Sequence, residues 1–177
     1  IEIGTDAAFA LALAATIVEE GLADLDFMRT YTDAPLLVRA DTGKRLLASD
    51  LDAGIDAAHP TARRYVVWDQ TTSTAVVIPI DRLGLPDGID AALDGSHPVT
   101  LADDTTVEVS PGFVHVTAEL EGFTPELTAE ITGLDPELVR KVARAYATAD
   151  PAAILMGAGS NHWYHGDLTG RAFALCA

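Results

Sequence analysis

The chain has 177 residues, 49% of them apolar, and carries 27 acidic against 11 basic side chains for a formal net charge of −16. Length and composition call for a globular chain with one substantial core and room for a small second lobe. The charge excludes a nucleic-acid backbone or an anionic lipid surface as partner, because both need clustered Lys and Arg, and the single cysteine, Cys176, excludes an internal disulfide or a cysteine-based metal cluster within this chain.

Taken from the start, Ile1, Glu2 and Ile3 read as the tail of a strand or an entry loop. Gly4, Thr5 and Asp6 then open a helix, with Thr5 as N-cap and Asp6 favourable to the helix dipole. This helix should run to about Glu20, stop at Gly21 and be buried between layers, since Phe9, Leu11, Leu13, Ile17 and Val18 leave no polar face. Its apolar stretch, 7–18, is too short to cross a bilayer and follows no basic segment, so it reads neither as a membrane span nor as a signal peptide. A second helix is expected over 24–30, and Leu36, Leu37 and Val38 form a brief strand after Pro35.

From 41 to 112 the pattern changes to short alternating strands and turns. Residues 65–68 and 75–78 flank a polar loop as in a hairpin, and Val99–Leu101 and Val107–Val109 flank Asp103 and Asp104 in the same way. Helix signals return at Thr124-Pro125-Glu126, with Gly133 as the stop, and at Asp135-Pro136-Glu137, which opens a helix to about Ala149. That helix delivers the chain into an apolar run, 152–156, expected as a buried strand, followed by a glycine turn and a last helix over 167–177 that meets the end of the chain. Helix, strand, turn, helix is the order of a parallel α/β layer. The expected fold is therefore α/β, a Rossmann-like parallel sheet layer with helices plus an inserted β-hairpin-rich region, with 1–40 and 113–177 as two parts of one α/β domain, 41–112 as the insertion, and the whole as a piece of a larger chain.

The residues best placed for chemistry come after the run 152–156, because ligands in open α/β sheets sit beyond the carboxyl ends of strands. Gly157 and Gly159 let a backbone approach a ligand closely, and Ser160, Asn161 and His162 add donors and acceptors on the same loop. A G-x-G turn alone is more often structural: His162 stands where a full dinucleotide fingerprint has its third glycine, and no lysine follows to make a phosphate loop. His162 and His165 are three apart, a spacing for a metal on one helical turn, yet Asp167 is the sole nearby carboxylate and no third ligand is evident. Acid–base work by either histidine is the alternative. Gly4-Thr5-Asp6 is a second candidate, either a plain helix cap or an anion site at a helix start.

Three stretches, G-T-D-A-A-F-A-L-A-L-A with the I-V-E-E-G-L-A-D-L-D-F-M-R-T-Y-T-D behind it, F-T-P-E-L-T-A-E-I-T-G-L-D-P-E-L-V-R-K-V-A-R, and G-A-G-S-N-H-W-Y-H-G-D-L-T-G-R-A, occur in the order of one family. Together they resemble the large catalytic subunits of the molybdopterin oxidoreductases, the dimethyl sulfoxide reductase superfamily. The resemblance implies an internal fragment of a parent enzyme that uses bis-molybdopterin guanine dinucleotide with molybdenum or tungsten for two-electron redox or oxygen-atom transfer. It implies Gly4, Thr5 and Asp6 beside a dinucleotide moiety, and Gly157, Gly159, Ser160, Asn161, His162 and, more weakly, His165 along the cofactor loop. No catalytic residue and no metal ligand is assigned here. The family's iron–sulfur cysteines, its metal ligand and its C-terminal cofactor domain have no counterpart in this sequence, so the fragment alone is expected to hold no cofactor. The W-Y-H-G-D-L-T wording leans toward nitrate and selenate reductases. Implied partners are the remaining domains of the parent chain and an iron–sulfur electron-transfer subunit, on the cytoplasmic side or on the periplasmic or cell-surface side of a prokaryotic membrane. The competing expectation is a non-catalytic α/β module that binds a nucleotide or another small ligand.

Overall fold

A computed structural model describes residues 1–56, 58–79 and 84–177. Its elements are α1 (Asp6–Glu19), α2 (Leu25–Tyr31), β1 (Leu37–Arg39), α3 (Ala48–Leu51), β2 (Val66–Asp69), β3 (Thr74–Val77), β4 (His97–Thr100), β5 (Thr106–Pro111), α4 (Gly112–Leu120), α5 (Pro125–Thr132), α6 (Pro136–Ala147), α7 (Ala158–Asn161) and α8 (Gly166–Ala174), with short 3₁₀ turns at Pro60–Arg63 and Glu121–Phe123. The chain is mixed α/β and divides into two compact units, 1–23 with 117–177, and 24–116.

The first unit is helical and is built on α1, which packs against α5, α6 and α8. Alanines at 10, 12, 14 and 15 are buried and let neighbouring helices approach closely. Leu13 and Ile17 interlock with Val139 and Ala143 of α6. Thr16 is fully buried without loss, because its hydroxyl donates to the Ala12 carbonyl at 2.8 Å. The helix starts expected at Thr124 and Asp135 form as written. The Thr124 Oγ accepts from the Leu127 amide, and Asp135 accepts from the Glu137 amide at 2.8 Å, each with proline at the first helical position. Gly133 closes α5 in the left-handed region at φ 67°. Arg144 of α6 holds Glu20, just past α1, through two hydrogen bonds of 2.7 Å, the fork geometry that a guanidinium offers a carboxylate. Arg144 keeps the Glu20 carboxyl below the usual range.

The second unit carries the strands. β5 lies between β1 and β4, antiparallel to both, with Val38 opposite Ser110 and Val99 opposite Val107. β2 and β3 form the expected hairpin, Val67 opposite Val76. Leu37, Leu46, Val66, Val99, Leu101 and Val109 make its core. Asp69 ends β2 almost fully buried, and it is stable there as a carboxylate because it accepts from the Thr72 hydroxyl at 2.6 Å and from the amides of Thr71, Thr72 and Asp90. The Thr72 bond leads in holding its pKa below the ordinary aspartate value.

Two expectations are corrected. Every strand pair among the described residues is antiparallel, so the Rossmann-like parallel layer is not formed here. The reason is local to 152–156: this run belongs to no helix or strand, and no described residue offers it a hydrogen-bonding neighbour. Thr5 is also no side-chain cap for α1. Its hydroxyl turns back to donate to the Glu2 carbonyl at 2.7 Å. Among the described residues no helix is long and apolar enough to cross a membrane.

Candidate functional site

Within the helical unit, the first six residues and the loop after 156 meet. The amide of Glu2 donates to the Thr132 carbonyl at 2.8 Å, which anchors the N-terminal segment on the end of α5. The chain then turns sharply, with the amide and hydroxyl of Thr5 both returning to the Glu2 carbonyl. Gly4 sits in this turn at φ 83°, a conformation that disfavours side chains. It also lies under the indole of Trp163: a Cβ at Gly4 would stand 3.4 Å from the ring. A cleft of about 540 Å³ opens beside this contact, lined by Ile1, Glu2, Ile3, Gly4, Asp6, Gly159, His162 and Trp163. Its size is that of a small-ligand site.

Gly4, Asp6, Gly159 and His162 therefore share one cleft, although they come from opposite ends of the sequence. Of the other expected residues, Thr5, Gly157, Ser160 and His165 are not among its lining. Thr5 is engaged with Glu2, and the Ser160 hydroxyl donates to the Gly157 carbonyl at 3.1 Å. The Asn161 side chain is outside what the structure describes. His165 takes φ 62° at the start of α8, its carbonyl accepts from the amides of Leu168 and Thr169, and its ring leans on Tyr164 with centroids 4.2 Å apart. It serves as a helix entry. Among the described residues no group of three His, Cys, Asp or Glu could hold a metal ion.

Sequence reasoning missed Ile1, Glu2, Ile3 and Trp163 as wall residues. Trp163 stood in the motif, but no local pattern tells that its ring folds onto Gly4. Chemically, the described lining residues combine two carboxylates, Glu2 and Asp6, with an indole and an imidazole, and no Lys or Arg is among them. Carboxylates accept from N–H groups and repel phosphate, while aromatic rings stack on planar ligands.

Gly157 and Gly159 differ from Gly4. Neither has a positive φ, and a Cβ at either would meet nothing within 4 Å. The packing of this chain gives no reason for glycine at these two positions.

No protein-family model matches the chain. Its curated relatives are nonetheless consistent in kind, and the chain belongs to the dimethyl sulfoxide reductase family of molybdopterin oxidoreductases, as a segment of their catalytic α subunits. It is 37% identical to the respiratory nitrate reductase subunit alpha of Haloferax mediterranei, over 97% of this chain and 18% of that protein. It is 33% identical to the perchlorate reductase subunit alpha of Dechloromonas aromatica over 97% of this chain and 21% of the relative, and 32% identical to the dimethylsulfide dehydrogenase subunit alpha of Rhodovulum sulfidophilum over 99% and 19%. The chain thus spans about a fifth of the length of the curated relatives it matches.

Proposed function

We propose that this chain supplies one wall of the binding site for a bis-molybdopterin guanine dinucleotide, with molybdenum or tungsten, in an α subunit that carries out two-electron reduction or oxygen-atom transfer of the nitrate or selenate reductase kind. The observation that carries the reading is the pair Gly157 and Gly159, bare backbone that the chain's own packing does not require, on the loop that resembles the family's cofactor loop. A ligand approaching the main chain closely gives such glycines a purpose.

The cleft fits part of such a cofactor and not the whole, since about 540 Å³ is the volume of a single small ligand. In this reading Gly4 and Asp6 contact a dinucleotide moiety, with the Asp6 and Glu2 carboxylates facing N–H groups and not the pyrophosphate. His162 and Trp163 stack against or hydrogen-bond to a planar ring, and Gly159 lets it come close. When bound, the cofactor supplies the redox and oxygen-transfer chemistry; the residues here bind, orient and shield it. The parent chain's remaining domains complete the site, and an iron–sulfur subunit exchanges electrons with it.

The test uses the complete α subunit. Gly159→Val and His162→Ala should each lower the molybdenum or tungsten and guanine nucleotide content. Full occupancy and normal turnover in both variants would remove this loop from the site.

A further inference from the structure

We infer that the fold of this segment is conditional on salt: its own charge loosens it at about 0.1 M monovalent salt, molar salt completes it, and it belongs to a protein that works in a strongly saline medium. The inference rests on the charge and the core of this chain, and not on the cofactor reading.

The two compact units share the charge equally. Residues 1–23 with 117–177 carry 12 acidic against 4 basic side chains, and residues 24–116 carry 15 against 7, a net −8 in each. In the helical unit, ion pairs among the described residues reach only Glu20, Glu126 and Glu137. The acidic residues also stand close together along the chain: Glu19 with Glu20, Asp87 with Asp90 and Asp94, Asp103 with Asp104, Glu119 with Glu121. Glu126 and Glu130 are four apart on α5, a spacing at which like charges destabilise a helix. A Debye length of about 10 Å at 0.1 M leaves such neighbours to repel one another, whereas about 3 Å at 1 M screens them.

The core offers little to set against that repulsion. Every described Phe, Tyr and Trp is at least partly exposed, and nearly half of the buried apolar residues described are alanine. Around α1 the buried apolar set is Ala10, Ala12, Ala14 and Ala15 with Leu13 and Ile17. A methyl group removes far less apolar surface from water than a leucyl or phenyl group does, so the opposing hydrophobic term is small. A basic protein partner would neutralise one patch. Here the carboxylates lie on α1, α4, α5, α6 and α8 and on the loops of the second unit, so the mobile cations of the solution take that role. The cleft stands on the helical unit, with Glu2 and Asp6 and no Lys or Arg in its described lining, so salt that completes the helices also forms the cleft.

Hydrogen exchange of the complete α subunit, as isolated, tests this in KCl from about 0.1 to about 2 M, with each peptide referred to its unfolded form in the same salt. Amides of α1 and α6 should be at least about tenfold better protected at the high concentration, with most of the gain made by about 1 M, where screening is nearly complete. Equal protection throughout, or less protection in high salt, would overturn the inference. A combined Glu119→Gln, Glu121→Gln and Glu130→Gln variant removes three exposed carboxylates that have no ion pair among the described residues. It should exchange more slowly than the wild type in low salt and depend less on KCl; a wild-type salt dependence in this variant would also overturn the inference. Should the variant fail to accumulate, the wild-type series still decides. Cofactor content measured on the same samples keeps the two readings apart: a salt-dependent fold without cofactor sinks only the cofactor reading, and a salt-independent fold with full cofactor sinks only this one.

Discussion

Replacing Gly159 by alanine separates a ligand-binding reason for this glycine from a folding reason. The position lies inside α7, its φ is not positive, and the added Cβ meets no atom within 4 Å. Folding should therefore tolerate the methyl. Glycine in a helix interior is about 0.8–1.0 kcal/mol worse than alanine, and α7 is a single short turn, so the substitution should leave stability unchanged or raise it by up to about 1 kcal/mol, an increase of at most a few degrees in Tm. Ligand binding should respond in the opposite sense. A methyl inserted into a close contact costs about 1–3 kcal/mol, which is roughly a 5- to 150-fold loss of affinity. The assay is a pair of measurements on the complete α subunit: thermal unfolding of the cofactor-free form, and the guanine nucleotide released from the loaded form. Unchanged stability with reduced nucleotide supports a ligand-binding reason. Lowered stability with undiminished nucleotide would refute it, because glycine would then be required by the fold.

Further predictions concern the scaffold. Leu13 is 5% exposed in the contact of α1 with α6, so Leu13→Ala should destabilise the helical unit by about 2–5 kcal/mol, read by chemical denaturation; a change below about 1 kcal/mol would show that the contact is not a core. The Glu20 carboxyl is held below its ordinary value by the bond to Arg144. A depressed carboxyl contributes stability above its unfolded pKa and loses it as pH falls through the folded one, so Arg144→Ala should lower stability at neutral pH and flatten its decline in acid. Parallel acid-unfolding curves for the two proteins would contradict this. Burial pushes the Cys176 thiol up to about 11, so at about pH 8 it should resist maleimide in the folded chain and react on unfolding; rapid labelling of the native protein would place Cys176 at the surface.

The parts of the fold that were legible in the sequence are those with local causes. Thr124-Pro125 and Asp135-Pro136 specify helix starts through hydrogen bonds spanning two or three residues, and these formed as read. The hairpin β2–β3 follows from alternation around a polar loop. Helix α4 had no such signal: Val114, Val116 and Thr117 are β-branched and disfavour helix, so tertiary context decides there. The run 152–156 shows the opposite limit. Its pattern is that of a buried strand, but a strand is made by its neighbours, and none lies among the described residues. The candidate site was half legible for a related reason. Gly4, Asp6, Gly159 and His162 stood in recognisable motifs, whereas the meeting of Trp163 with Gly4 depends on a contact between the two ends of the sequence. Thr5 misled because its favourable position as a cap was overridden by the Gly4 turn, which aims the hydroxyl at Glu2.

The central claim is that this segment forms one wall of a metal–pterin dinucleotide site in a larger reductase. The most direct measurement is the molybdenum, tungsten and guanine nucleotide content of the complete α subunit, with the Gly159→Val and His162→Ala variants prepared alongside. The wild type should carry stoichiometric metal and guanine nucleotide, and the variants should show a clear loss of both. A folded wild-type subunit free of metal and nucleotide, or variants as fully loaded as the wild type, would contradict it.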